Sequence, residues 1–413
     1  MLLFENKKGM MLHFLKMGIN PFEKFVSTGE IKEDLGLVNS RESLLESIIN
    51  IIESKKNFIL PILGNVGVGK THLYWALKNR LYYFNTIHIS LEKVYKKFFY
   101  NTYSEFIETI EVEPLRNIIN QLCNRWGALE RKYGFFHVAD PEKVKREAFN
   151  KLQDKFGDDE KKALMDVITG IITHQLDPYK RIEAERWLLG ELMNIRELSR
   201  LNLNFDLRKS KQSFIMLKIL IENSKLGTIL FIDDFEKIIS IPRSLEEDDD
   251  ECEVFDRSWL YGKKQSPNDF ATRKVLEKVL KLQEIEDLRL IIILRSVESL
   301  EQLKRKINKS KTPLKLEMLE AITLQNFTEG DIYEFYLKNM EVFLQNFNYS
   351  YFYEEFPESF FPLTKDLLRD IYYKTSGNPR EISKYFIKIF NELISSQDGL
   401  ETILPKYLVN KDE

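Results

Sequence analysis

The chain has 413 residues, with 61 Lys and Arg against 64 Asp and Glu and a formal net charge of −3. That length can bury a large core and leaves room for roughly two or three domains. The near balance of charge excludes a global field that would announce nucleic acid or an acidic substrate, although local basic patches stay open. Cys123 and Cys252 are the two cysteines, which excludes a disulfide framework and suits a reducing compartment, and five scattered histidines argue against a Cys/His zinc site. No apolar run reaches the length of a membrane span, and the start MLLFENKKGMM is too short for a signal peptide. The expectation is a soluble, cytoplasmic protein with no membrane contact.

In chain order, residues 1–40 form an N-terminal segment that carries Asn20-Pro21-Phe22. LVNSRESLLESIINII then reads as a helix capped by Asn39 or Ser40, with Leu44, Leu45, Ile48, Ile49 and Ile52 on one face. Residues 57–71, NFILPILGNVGVGKT, begin with a short apolar run that reads as a buried strand. It breaks at Gly64, and the next residues fit G-x-x-x-x-G-K-[ST] through Gly64, Gly69, Lys70 and Thr71. Glycines let successive backbone N–H groups turn inward around phosphate oxygens, because a Cβ would block those dihedrals. The cradle is therefore Gly64, Asn65, Val66, Gly67, Val68 and Gly69. Lys70 is placed for the β- and γ-phosphates and the Thr71 hydroxyl for Mg²⁺. The helix expected over 70–81 points its positive end at the anion. ATP with Mg²⁺ is the expected ligand.

TIHISLE (86–92) reads as a second strand by its alternating Ile87, Ile89 and Leu91. A long helical region follows over about 93–225, broken at Pro114, Asp140-Pro141, Gly157 and Asp177-Pro178. Tyr95, Phe98, Phe99, Tyr103 and Phe106 recur at helical spacing, which favours a packing stripe over a base-stacking platform. GTILFIDDFE (227–236) is a continuous apolar strand running into carboxylates, as a central parallel strand does when it ends at an active site. EEDDDE (246–251) is too charged to pack and reads as an exposed, mobile loop. LRLIIILRS (288–296) and the weaker EAITLQNF (320–327) are further strands, and helices are expected over 328–348, 364–375 and 378–396.

This order describes an α/β fold: a parallel sheet covered on both faces, then a helical lid. The domain reading is 1–40 as an N-terminal segment, 41–327 as a phosphate-loop domain with its insertion at about 93–225, and 328–413 as the lid. Asp233, at the carboxyl end of the third strand, is the expected Mg²⁺ partner.

GNVGVGKT, FIDD, the polar residue ending LRLIIILRS, and GNPRE (377–381) resemble the Walker A, Walker B, sensor 1 and sensor 2 motifs of AAA+ ATPases. The Asn20-Pro21-Phe22 start, the box around Arg41 and the GNPRE helix are most similar to the origin-recognition-like branch. Inside the insertion, RWLLGELMNIRELSRLNL (186–203) followed by a helix and GTILFIDDFEKI resembles the ATP-binding proteins of BREX-type phage-defence systems. The order KRKINKS, ITLQNFT, GNPREISKYF is similar to the same group, and the likeness spans about residues 38–396.

The resemblance implies Lys70 for the phosphates, Thr71 and Asp233 for Mg²⁺, Ser296 as sensor 1, and Arg380 as the sensor 2 arginine touching the γ-phosphate. Arg305 falls where such proteins carry a finger arginine for a neighbouring subunit, or else it belongs to a solvated basic stretch over 304–315. The helix of LVNSRESLLESIINII either packs or also closes over the adenine. Asp234 stands where the family usually has the glutamate that orients water, and Glu236 is the alternative carboxylate. The chain ends soon after the lid, so no winged-helix domain is expected and duplex contact would come from the insertion or a basic face. The implied function is a DNA-associated, oligomeric ATPase motor or helicase loader working with a larger helicase or nuclease in genome defence or replication. A slowly hydrolysing switch acting on a protein partner is the alternative.

Overall fold

A computed structural model describes residues 2–23, 38–91, 97–128, 131–132, 135–136, 140–236, 267–310, 314–349, 351–396 and 398–408. Tyr95, Cys252 and the acidic run 246–251 lie outside them. The principal helices are α1 (Leu2–Leu15), α2 (Asn39–Ser54), α3 (Lys70–Arg80), α4 (Phe98–Ile110), α5 (Val112–Arg125), α6 (Pro141–Leu152), α7 (Lys161–Leu176) and α8 (Arg181–Leu188). They continue as α9 (Ile195–Leu201), α10 (Ser210–Asn223), α11 (Pro267–Lys281), α12 (Val297–Asn308), α13 (Glu329–Gln345), α14 (Lys365–Thr375) and α15 (Pro379–Ser395). The main sheet contains β1 (Phe58–Leu63), β2 (Phe84–Ser90), β3 (Gly227–Asp233), β4 (Leu288–Leu294), β5 (Glu317–Met318) and β6 (Ile322–Thr323). Among the described residues no helix is long and apolar enough to cross a membrane.

The protein is α/β, and its sheet runs β2-β3-β4-β1-β5, with β6 also on β1. The pairing is parallel, with Ile87 opposite Leu230, Leu230 opposite Leu290, and Ile62 opposite Ile322. Every residue of β1 and β4 is buried, which is why both read as unbroken apolar runs. The chain leaves β1 for the far edge at β2, returns through β3 and β4, then steps past β1 to β5. Strand order thus reverses around β1, and in open α/β sheets such reversal points hold ligands at the strands' carboxyl ends.

By compactness the chain forms two units: Met1–Ser54 with Ile62–Leu81 and Ile322–Glu413, and Lys55–Pro61 with Tyr82–Ala321. In the first unit the core gathers Met11, Leu15, Phe22, Ile332, Tyr336, Ile382, Phe386 and Phe390. Phe22 is fully buried, its ring 4.7 Å from that of Phe386 and 5.1 Å from that of Phe390. Asn20 makes the turn that delivers it. Its Oδ1 accepts from Phe22 N at 2.9 Å, while Nδ2 donates to Asn391 Oδ1 at 2.8 Å and Ile387 O at 3.0 Å. Asn20-Pro21-Phe22 is thereby a tether onto α15. Residues 2–15 carry no apolar period clear enough to announce α1, whose Met11 and Leu15 are nonetheless buried. Helix α2 corrects the expected cap: Asn39 N donates to Glu334 Oε1 and Oε2 at 3.0 and 3.1 Å, and Ser40 Oγ donates to Asp331 Oδ1 at 2.8 Å. Carboxylates of α13 supply the anion that a helix N-terminus favours.

The fifth strand differs from the single run expected over 320–327. It is two short pieces, and single backbone bonds, Leu319 N to Ile59 O at 2.9 Å and Leu324 N to Leu63 O at 2.7 Å, extend them. Pairing stops there because Phe327 N turns away to Gly377 O at 2.8 Å.

In the second unit α4 buries Phe98, Phe99, Tyr103 and Phe106, so the described part of the aromatic stripe is core. Asp140 caps α6 by accepting from Glu142 N at 3.0 Å, with Pro141 in the first turn. Buried Asp166 accepts from Asn204 N and Nδ2, both at 2.9 Å, and from Gln212 Nε2 at 3.0 Å. Buried His174 Nε2 lies 3.1 Å from Glu185 Oε2, and Arg116 clasps the same carboxylate at 2.6 and 3.2 Å.

Burial pulls the His174 pKa below its ordinary value, outweighing the pull of Glu185. A depressed pKa means stability present above the unfolded value of about 6.5 and lost as pH falls beneath it. Urea midpoints measured between about pH 7 and pH 5 should therefore decline, and His174→Gln should flatten that decline.

Candidate functional site

The loop after β1 is shaped by backbone geometry. Gly64 is buried at the strand's end, where a Cβ would lie 2.7 Å from Val68 Cγ2 and 3.2 Å from Leu324 Cβ. Gly67 and Gly69 have φ of +86° and +99°, a region that side chains with a Cβ rarely adopt. Asn65 and Val66 are exposed and Val68 is buried. Helix α3 starts at Lys70, and Gly69 has no side chain to cap it. The first N–H groups of any helix have no partner within the helix itself, which is why a helix start favours an anion. Lys70 Nζ folds back to donate to Gly64 O at 2.7 Å, and Thr71 is exposed.

Three groups distant in sequence grip the outside of this loop within the same unit. Asn378 Nδ2 donates to Val66 O at 2.9 Å, Arg380 N to Gly67 O at 3.1 Å, and Arg41 Nη2 to Val68 O at 3.3 Å. Arg41 also donates to Gln325 O. Burial draws the Arg41 guanidinium below its ordinary range, against the charge of Asp331. Asn378 is the N-cap of α15, its Oδ1 accepting from Arg380 N at 3.1 Å and Glu381 N at 3.4 Å, with Pro379 next. The Arg380 side chain is exposed at that helix start. Gly377 (φ +71°) permits the approach, since a Cβ there would meet Phe327 O at 2.2 Å.

A second cluster lies in the other unit, at the carboxyl ends of β2, β3 and β4. Asp233 ends β3; its Oδ1 accepts from Asp234 N at 2.7 Å and its Oδ2 lies 3.6 Å from His88 Nε2. Asp234 takes φ +54°, which ends the strand and turns its carboxylate to accept from Ser90 Oγ at 2.8 Å. Glu236 Oε1 is paired with Arg295 Nε at 2.7 Å. Ser296 caps α12, its Oγ accepting from Ser299 N at 3.3 Å. Arg305 is exposed in the last turn of α12, and Lys304 pairs with Glu301 at 3.5 Å. Lys311 lies outside the described residues.

Ser90, His88 and Arg295 belong to no motif in the sequence, and GNPRE by itself does not show that Asn378 holds the loop. Alternation along β2 puts His88 and Ser90 on one face, and the parallel register sets Ser90 opposite Asp233. That register was the available signal. Scanned against protein-family models the chain matches none, and a search of curated proteins finds no match.

Gly67→Ala should destabilise the first unit. The new Cβ would stand 2.5 Å from Asn378 Oδ1 and 3.0 Å from Arg380 Cβ, at a positive φ. A loss of about 1–3 kcal/mol is expected from urea unfolding, whereas Gly9→Ala, inside α1 with open space around it, should stabilise by roughly 0.5–1 kcal/mol.

Proposed function

We propose that the chain is an Mg²⁺-dependent ATPase of the AAA+ kind. The observation that carries the reading is the loop between a fully buried strand and α3: two left-handed glycines, an uncapped helix start, and a lysine and threonine in its first turn. Such a loop offers backbone N–H groups and a positive helix end to an anion, and Lys70 adds a charge-assisted donor once it exchanges Gly64 O for a phosphate oxygen. Thr71 and Asp233 supply hard oxygen ligands of the kind Mg²⁺ takes. Bound Mg²⁺ would neutralise charge on the phosphates. Arg380, exposed at the head of α15, is proposed as the arginine that meets the terminal phosphate, and Ser296 as the polar sensor beyond β4.

Asp234 is the proposed water-orienting base, and its geometry favours slow turnover. Its carboxylate is one methylene shorter than glutamate and is tied to Ser90 Oγ. Misplacement by about 1 Å can cost 10²-fold in rate. Glu236, the alternative, is neutralised by Arg295. These two ties favour the second reading, an ATP-dependent switch that hydrolyses slowly and acts on a protein partner. The exposed basic residues Lys304, Arg305 and Lys309 are the basis for proposing DNA contact and a finger arginine offered to another copy in a homo-oligomer. A larger helicase or nuclease partner, a role in genome defence or replication, and a cytoplasmic setting belong to the same proposal.

Lys70→Ala should weaken ATP binding roughly 10- to 100-fold in calorimetric titration, the scale of one lost charge-assisted contact. Asp233→Ala should retain binding while losing Mg²⁺-dependent phosphate release. Unchanged turnover in both variants would defeat the assignment.

Asp234→Glu should raise kcat with KM nearly constant, as expected for an interaction made mainly in the transition state. Ser90→Ala should also change kcat, because it removes the hydrogen bond that Ser90 Oγ donates to that carboxylate. Single-turnover hydrolysis abolished by Glu236→Gln but not by Asp234→Asn would transfer the role to Glu236.

A further inference from the structure

In a trans peptide the C=O of one residue and the N–H of the next point in opposite directions. Three consecutive carbonyls of the phosphate loop, those of Val66, Gly67 and Val68, accept hydrogen bonds from outside the loop. Their donors come from two remote stretches, Arg41 in α2 and Asn378-Arg380 at the head of α15. With those carbonyls turned out, the N–H groups of Gly67, Val68 and Gly69 are turned toward the inner side of the loop. The Val68 N–H additionally leans on Asn65 O at 3.5 Å, the long limit of a hydrogen bond. Gly67 makes the grip possible, because any side chain there would collide with Asn378.

We infer that Asn378 and Arg41 are positioning residues for the anion cradle, orienting its N–H donors through the opposite face of the same peptides without touching the nucleotide. The inference rests on the phosphate-loop reading and adds to it. Donors held in place before the ligand arrives cost no ordering at binding, so loosening them lowers affinity for any ligand that carries the inner phosphates. The two clamps are independent in chemistry. Asn378 both caps α15 and holds Val66 O, so helix and loop are set by one amide group. Arg41 bridges Val68 O and Gln325 O and lies over the Phe327 ring at 5.6 Å.

The test uses the full chain, with Mg²⁺-ATP and Mg²⁺-ADP titrated calorimetrically, and the amide resonances of ¹⁵N-glycine-labelled protein recorded without nucleotide. Asn378→Asp keeps an oxygen to cap α15 but replaces the donor to Val66 O with an acceptor. Arg41→Gln removes the cation, and Arg41→Lys retains a donor. The expected result is an affinity loss of about tenfold for ATP and ADP alike in Asn378→Asp and Arg41→Gln, partial recovery in Arg41→Lys, a modestly lowered Tm, and shifted Gly67 and Gly69 amides. Wild-type affinity in both variants, with binding lost in Lys70→Ala, would overturn the clamp and leave the loop's role intact. A loss confined to ATP would also overturn it, since that places the residue at the terminal phosphate. Wild-type affinity in Lys70→Ala would instead remove the phosphate-loop reading beneath it. Should Asn378→Asp fail to fold, the contrast between Arg41→Gln and Arg41→Lys decides the matter.

Discussion

The constraint on which the rest depends is the backbone of residues 64–70, where a buried strand must reverse into a helix within one short loop. L-residues resist the left-handed dihedrals that such a turn requires, by about 1–2 kcal/mol each. Gly67 and Gly69 take them freely. The turn leaves three carbonyls facing outward, and a polar group left unpaired in a half-buried place is costly. The first unit meets that demand with an arginine, an asparagine and a helix N-terminus. Its architecture can be read as the means of bringing those donors to the loop.

The tether of Asn20-Pro21-Phe22 serves the same end. Burying a phenylalanine side chain contributes about 1.5–3 kcal/mol, and Phe22 makes that contact with Phe386 and Phe390, about two and three turns along the helix whose head grips the loop. On the other side Glu334 and Asp331 of α13 hold the start of α2, which carries Arg41. Motion of α13 or α15 would thereby reach the two side chains that donate to the loop carbonyls.

In the second unit, the carboxylates at the end of β3 are already engaged. Asp233 is close to His88, Asp234 is tied to Ser90, and Glu236 is paired with Arg295. Hydrogen bonds to a carboxylate use up the lone pairs with which it would hold a water molecule. Under the proposed hydrolysis those partners would have to be exchanged before a water is held, which suits slow or conditional turnover better than a constitutively fast one.

Much of the fold was legible because its signals are local. The β1 apolar run, the glycine spacing, the Asp140-Pro141 cap, the carboxylates that end β3 and the Asn378-Pro379 start of α15 each depend on a few neighbouring residues, and each lies where the sequence puts it. Local signals also misled at the edges. Asn39 and Ser40 look like caps for α2, yet the anion at that helix end belongs to Glu334, 295 residues away. The run 320–327 looks like one strand, but its pairing is broken because Phe327 bonds Gly377 instead. What only the tertiary structure decided are the partners: Asn378 on Val66, 312 residues apart, Arg41 on Val68, Ser90 on Asp234, and Arg295 on Glu236. Dihedral preference and periodicity act within a turn or two of chain, so sequence alone determined the loop and its flanking elements. Which donors would face its carbonyls depended on long-range packing of apolar helix faces, and no short-range rule encodes that.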